Sequence, residues 1–256
     1  MRKFLLYLII FLGAMGLGYL AQKVQPKEEP VVLTIDTEYV ISFQEEGRFD
    51  VILFTNQKTH PLFQKDYVLR VMLHDTSLDL FFELNLLDIT EGTKEIYLHE
   101  TFTRMIFSFS IPYFSEDLFV DDAMLSFELF DQESYLFRIG KFALFTHYPT
   151  IDWTHLSGRK SDGMLLSRLG LAYIGLDQET YHVTKVSIGF MDDLHFTHEN
   201  NELIIDVPNE DYLLYDPAIL ITLEDLSLWL VPNFLYIIDH MLLKESGPLI
   251  NHYALY

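Results

Sequence analysis

The densest group of residues able to do chemistry in this 256-residue chain is the stretch "DDLHFTHENNE", Asp192 to Glu202. His195 and His198 stand three apart, with Asp192 and Glu199 close by in sequence. On a helix that spacing puts both imidazoles on one face, where a carboxylate joins them around zinc or another divalent ion. On a strand, residues three apart point to opposite faces and the set separates. Asp192, His195, His198 and Glu199 are therefore the candidate metal ligands. The alternative for the same residues is a polar hairpin with solvated side chains. No other cofactor is called for.

Two acidic turns come next. "SEDLFVDD" (Ser115–Asp122) and "NEDYLLYD" (Asn209–Asp216) could gather carboxylates around a hard cation. Neither has the Asp-x-Asp-x-Asp-Gly order of an EF-hand, and their recurrence favours a shared role as loop caps. His147, Asp152, His155 and Ser157 lie close together in sequence, but triads are built from distant segments. Nucleophile-elbow, phosphate-loop, dinucleotide and H-E-x-x-H motifs do not occur. With no cysteine, thiolate catalysis, disulfides and cysteine-held metals are excluded. No catalytic residue is assigned, and the chain is not read as an enzyme.

The elements that would position these groups are strands. Half of the residues are hydrophobic and 15% are aromatic, which supports a real core. Period-two alternation marks "VLTIDTEYVIS", "RFDVILFTN", "YVLRVMLHD", "LDLFFELNL", "MIFSFSI", "AMLSFELFD" and "SYLFRIGKFALF". Turn material such as "HDTS" and "TEGT" bounds several of them. After "THYPTIDWTHLSGRKSDG" the alternation resumes. The expected class is all-β, with two tandem antiparallel β-sandwich domains behind an N-terminal transmembrane helix. Domain one is read over 33–145, a connector over 146–163 and domain two over 164–256. The pattern resembles immunoglobulin-type sandwiches, without their Cys…Trp…Cys signature.

The chain opens with Arg2 and Lys3, then eighteen uncharged residues from Phe4 to Ala21. That run is just long enough to span a bilayer, and the leading charges place its start in the cytoplasm. Residues 1–23 read as a signal anchor and 24–32 as a polar linker; cleavage would instead release a secreted body. No Asn-x-Ser/Thr sequon occurs, in keeping with a bacterial cell surface. Outside 1–23 the body has 14 basic residues against 38 acidic ones, so nucleic acid is excluded as a partner.

An internal repeat completes the pattern. An offset of 96 lays Leu98-His99 over Leu194-His195, Pro112 over Pro208, and Phe107, Phe109, Ile111 over Leu203, Ile205, Val207. After a two-residue deletion, Leu129 and Asp131 meet Leu223 and Asp225, and Tyr135-Leu136 meets Trp229-Leu230. The expected reading is duplication of one sandwich unit, the alternative being two unrelated strand–Pro–acidic-turn–strand passages alike in composition. The functional expectation is a membrane-anchored extracytoplasmic binding or scaffold protein working through protein contacts, in an envelope assembly. The alternatives are a cation- or glycan-binding module that uses surplus aromatics, or a metal-dependent hydrolase centred on Asp192–Glu202.

Overall fold

The computed structural model describes residues 29–43, 47–75, 80–160, 169–177, 181–208, 212–215, 217–233 and 241–256. The expected anchor at 1–23 lies outside them, as do Asn209–Asp211 and Asp216 of the second acidic turn. Among the described residues no helix is long and apolar enough to cross a membrane.

The first half contains β1 (Val31–Ile35), β2 (Thr37–Ser42), β3 (Arg48–Thr55), β4 (Val68–Asp75) and β5 (Leu80–Tyr97). It continues with β6 (Glu100–Ser110), β7 (Leu118–Leu129) and β8 (Ser134–Phe145). They pack as two layers, β1-β3-β6-β5 and β5-β4-β7-β8-β2. β5 serves both: Leu80–Leu84 pairs with β4, and Asn85–Tyr97 with β6. The opening strand is divided as well. Up to Ile35 it lies beside β3, and past Asp36 it runs parallel to β8. Gly140 makes that approach possible, since its φ of +115° and the Thr37 backbone leave no room for a Cβ. Lettering β1 and β3 to β8 as A to G, the layers read A-B-E-D and C-F-G, an immunoglobulin-type order.

Alternation explains the core. β7 buries Ala123, Leu125, Phe127 and Leu129, and β6 buries Phe107 and Phe109 from the opposite layer. Where antibody domains pin the layers with a disulfide against Trp, this sandwich packs phenylalanines edge to face between the layers. Phe49 lies 5.5 Å from Phe109 and 5.3 Å from Phe142, and Phe107 lies 5.3 Å from Phe127. Each such pair adds about 0.5–1.5 kcal/mol beyond its buried area.

The second half contains β9 (Trp153–Lys160), β10 (Leu169–Leu176), β11 (Val183–Ser187), β12 (Phe196–Glu199) and β13 (Glu202–Asp206). β14 (Leu213–Tyr215), β15 (Ile219–Leu223) and β16 (Leu228–Val231) follow. Its sheets run β9-β10-β13-β12 and β11-β15-β16, the same A-B-E-D and C-F-G order, over one shared core. The turns between the F and G strands match bond for bond. Leu129 N–H donates to Glu133 O and Gln132 N–H to Leu129 O; Leu223 to Ser227 and Leu226 to Leu223 repeat this. Asp131 and Asp225 each accept the N–H two residues on, and Gln132 and Leu226 both have positive φ.

Some stretches fall elsewhere than their composition suggests. "TEGT" is not a turn but lies inside β5, where a register shift between Glu91 and Lys94 absorbs it while β6 continues the ladder. β9 occupies much of the stretch read as the connector. β14 pairs with β2, and β17 (Ile250–Ala254), which follows α1 (Leu242–Ser246), pairs with β1; both extend the first half's sheets.

Candidate binding face and crevice

The most distinctive local feature of the first half is a bulge in β4. Val68 faces Leu129 and Arg70 faces Glu128, so Leu69 is one residue too many. The extra residue turns outward and its side chain is 55% exposed. Tyr67 and Phe130 stand beside it, both at least half exposed, and the Phe130 N–H donates to Tyr67 O at 3.1 Å. Three large apolar groups thus share one end of the layer.

A crevice of about 430 Å³ opens next to Leu69, within the range that holds small ligands or single side chains. It exists because β5 stops pairing with β4 at Leu84 and crosses to β6. Leu84, Ile111 and Val71 floor it and are themselves core residues. Lys65, Arg70, Glu83, Asn85 and Ser110 supply its polar groups. Arg70 stands between Glu83 at 3.9 Å and Glu128 at 3.8 Å, all three about half exposed or more, so these ion pairs contribute little stability. Nothing in this lining pairs a nucleophile with a base.

The face continues across four strands. Cross-strand rows run Phe81–His74–Met124–Arg138 and Glu83–Met72–Ser126–Leu136, with Arg70–Glu128–Ser134 below. Phe81 is 61% exposed and Leu136 48%. His74 Nε2 and Ser126 Oγ are 2.6 Å apart. Behind the turn that carries Phe130, burial and the Glu133 carboxylate push the Tyr135 phenol above its usual range. Burial also pushes His60 below its ordinary 6.5, against the opposing pull of Glu133 and Asp131.

The residues singled out by sequence go to separate partners. His195 Nδ1 meets Asp206 Oδ2 at 2.5 Å. His198 lies on β12 opposite Leu203, on the other face from Glu199. Asp192 accepts from Lys185 Nζ and Ser187 Oγ, each at 2.7 Å, and the lysine above all holds its carboxyl below the usual range. Among the described residues, no three His, Asp or Glu side chains converge as a metal set. In the would-be triad, His147 Nε2 meets Tyr113 OH and His155 Nε2 meets Glu202, so the two histidines serve different partners. Asp117 of the first acidic turn caps a loop, accepting from Thr146 N–H at 2.8 Å and Tyr148 OH at 2.6 Å. Burial and that carboxylate push the Tyr148 phenol up to about 12.

Sequence reasoning missed Leu69. One signal was present: "VLRV" places Val68 and Leu69 side by side and breaks the alternation that β4 otherwise keeps. A surplus of aromatics predicted an exposed patch somewhere, without saying where.

No family model matches this chain, and no curated protein does. Solved structures similar to it include SGBP-B of the Bacteroides ovatus mixed-linkage glucan utilization locus, in complex with a mixed-linkage heptasaccharide. That match has 10% identity and a TM-score of 0.23, and covers 76% of this chain and 42% of that one. The fibronectin(III)-like modules of Clostridium thermocellum CbhA match at 10% identity and a TM-score of 0.22, over 81% and 97% of the two chains. A tandem pair of titin Ig domains matches at 7% identity and a TM-score of 0.20, over 82% and 98%.

Proposed function

We infer that this chain is an extracytoplasmic binding and scaffold protein, held at the membrane by residues 1–23, that grips a protein partner with its first sandwich. The observation that carries this reading is the bulge that turns Leu69 out between the crevice and the Tyr67–Phe130 pair. A protein with 38 acidic residues stays soluble without help from its binding face, so exposed apolar groups grouped at one spot are best explained by contact. Apolar anchors beside a pocket and a polar rim are what a protein interface places at its centre.

The test is a crosslink and pull-down of the full-length, C-terminally tagged protein from its native membranes. The comparison is with Leu69→Asp, Phe130→Ser and the remote Lys58→Ala. A stoichiometric partner kept by Lys58→Ala and lost by the other two supports both the function and the face. A partner that all variants keep removes the face from the reading. Full-length protein without any partner overturns the scaffold function, and metal content and glycan binding become the next measurements.

A further inference from the structure

Asp36 is the residue at which the opening strand changes layers, and every polar group it has is used. Its N–H donates to Leu249 O at 2.9 Å and its carbonyl accepts from Leu213 N–H at 2.9 Å. One carboxylate oxygen accepts from Asn251 Nδ2 at 2.8 Å and the other from Arg138 Nη1 at 2.5 Å. Three of these four partners belong to segments that follow β13, more than 170 residues away in sequence. Arg138 is itself shared with Asp122 at 2.8 Å and with the Tyr212 hydroxyl at 3.3 Å, and its N–H donates to Tyr253 OH.

The segment from Met241 onward is held to the first sandwich through α1 and along β17. α1 buries Leu242 and Leu243 against Leu33, Phe54 and Phe102 on the outer side of the first sandwich. At the start of α1, Leu243 N–H donates to Glu95 Oε2 at 2.8 Å. Glu95 is ion-paired at 2.6 Å to Arg104, with side chains 2% and 12% exposed. β17 then covers the edge of β1 over five residue pairs. Without it, β1 would present the kind of bare strand edge that sheets otherwise protect. On the other side of Asp36, β14 lies along β2.

We propose that residues 241–256 are a strap, latched at Asp36, which ties the second sandwich to the first so that both open and unfold as one body. Released, the strap uncovers the β1 edge and loosens β14 at the same step. The Asp36 carboxylate is the latch because it joins β17, through Asn251, to β8, through Arg138.

The test uses the full-length chain in detergent. Calorimetry of the wild type shows one unfolding transition; two separated transitions overturn the proposal without any variant being needed. Hydrogen exchange then compares the wild type with Asn251→Ala, Asp36→Asn and the remote Lys58→Ala. In the first two, amides of 31–35, 213–215 and 250–254 exchange roughly tenfold faster together, while Phe107 and Phe109 stay protected. Lys58→Ala leaves all of them unchanged. Acceleration confined to 250–254, with 31–35 and 213–215 at wild-type rates, overturns the latch.

Discussion

At the scale of single residues, the buried polar groups set the sharpest expectations. Glu95 and Arg104 form a nearly dry ion pair that also holds the start of α1. Glu95→Ala breaks this buried ion pair and removes the acceptor for Leu243, which costs about 3–5 kcal/mol. Urea unfolding at neutral pH measures it; a loss below ~1 kcal/mol would show that the pair is solvated. His60 gives a pH dependence. Its Nδ1 accepts from Leu62 N–H, and burial between Phe63 and Tyr135 disfavours the charged ring. Because the folded-state pKa lies below the ordinary 6.5, this contribution to stability is complete above 6.5. It is lost as pH falls toward the lowered value, because the unfolded chain takes the proton first. His60→Gln therefore loses less stability between pH 7 and 5.5 than the wild type, and the His60 ring signal stays neutral in an NMR titration where a solvated imidazole has charged. Tyr148 has the opposite sense. Its pKa of about 12 stabilises the fold below pH 10, and that contribution disappears as pH rises through 12. Tyr148→Phe removes its hydrogen bond to Asp117 and costs about 1.5–3 kcal/mol by urea unfolding.

At the scale of elements, β4 and β5 create the proposed binding face by leaving their regular courses. The bulge at Leu69 re-aims one side chain, and the departure of β5 at Asn85 opens the crevice behind it. Leu69→Asp changes stability by less than ~0.5 kcal/mol, since that side chain already meets water, yet it abolishes partner capture. Two residues on, Val71→Ala empties part of the core and costs about 1–3 kcal/mol. Thermal melts of the two variants separate the binding role from the packing role. The period-two pattern identified β3, β4 and β8 nearly to their ends, because alternation runs through most of each. It stopped β5 at "NL" because the rest of that strand, "LDITEGTKEIY", is mostly polar. That polar stretch is a strand because β6 lies beside it, a fact about its neighbour. For the same reason His195 and His198 separate: β13 pairs with their segment and makes it extended.

At the scale of the whole molecule, the halves repeat one plan and are fastened to each other. The matched F–G turns, with the same two backbone bonds and the same Asp cap, are what a duplicated unit would retain. Fastening goes beyond duplication. Val40, Ala143 and Phe145 of the first half pack into the second half's core. The buried Glu38 carboxylate accepts the Phe190 N–H at 2.8 Å. Gly189 beside it has a φ of +55°, and a Cβ there would collide with the Glu38 side chain. Gly189→Ala therefore loosens the junction and lowers the melting temperature of the chain. Calorimetry distinguishes this from a neutral change, which would mean that the junction relaxes freely.

Composition and alternation by themselves determined the class, most of the first-half strands and the presence of a repeat, because each follows from side chains facing water or core within a few residues of chain. The missing cysteine likewise excluded thiolate and disulfide chemistry without any coordinates. Tertiary structure decided what depends on distant partners. It turned Leu69 outward by giving β7 one residue fewer, separated the histidine ligands by placing β13 beside them, and sent β14 and β17 back to the first sandwich. The bulge, β14 and β17 each rest on a pairing between backbones far apart in sequence, and hydrogen bonds between backbones leave no imprint on which side chains the chain carries.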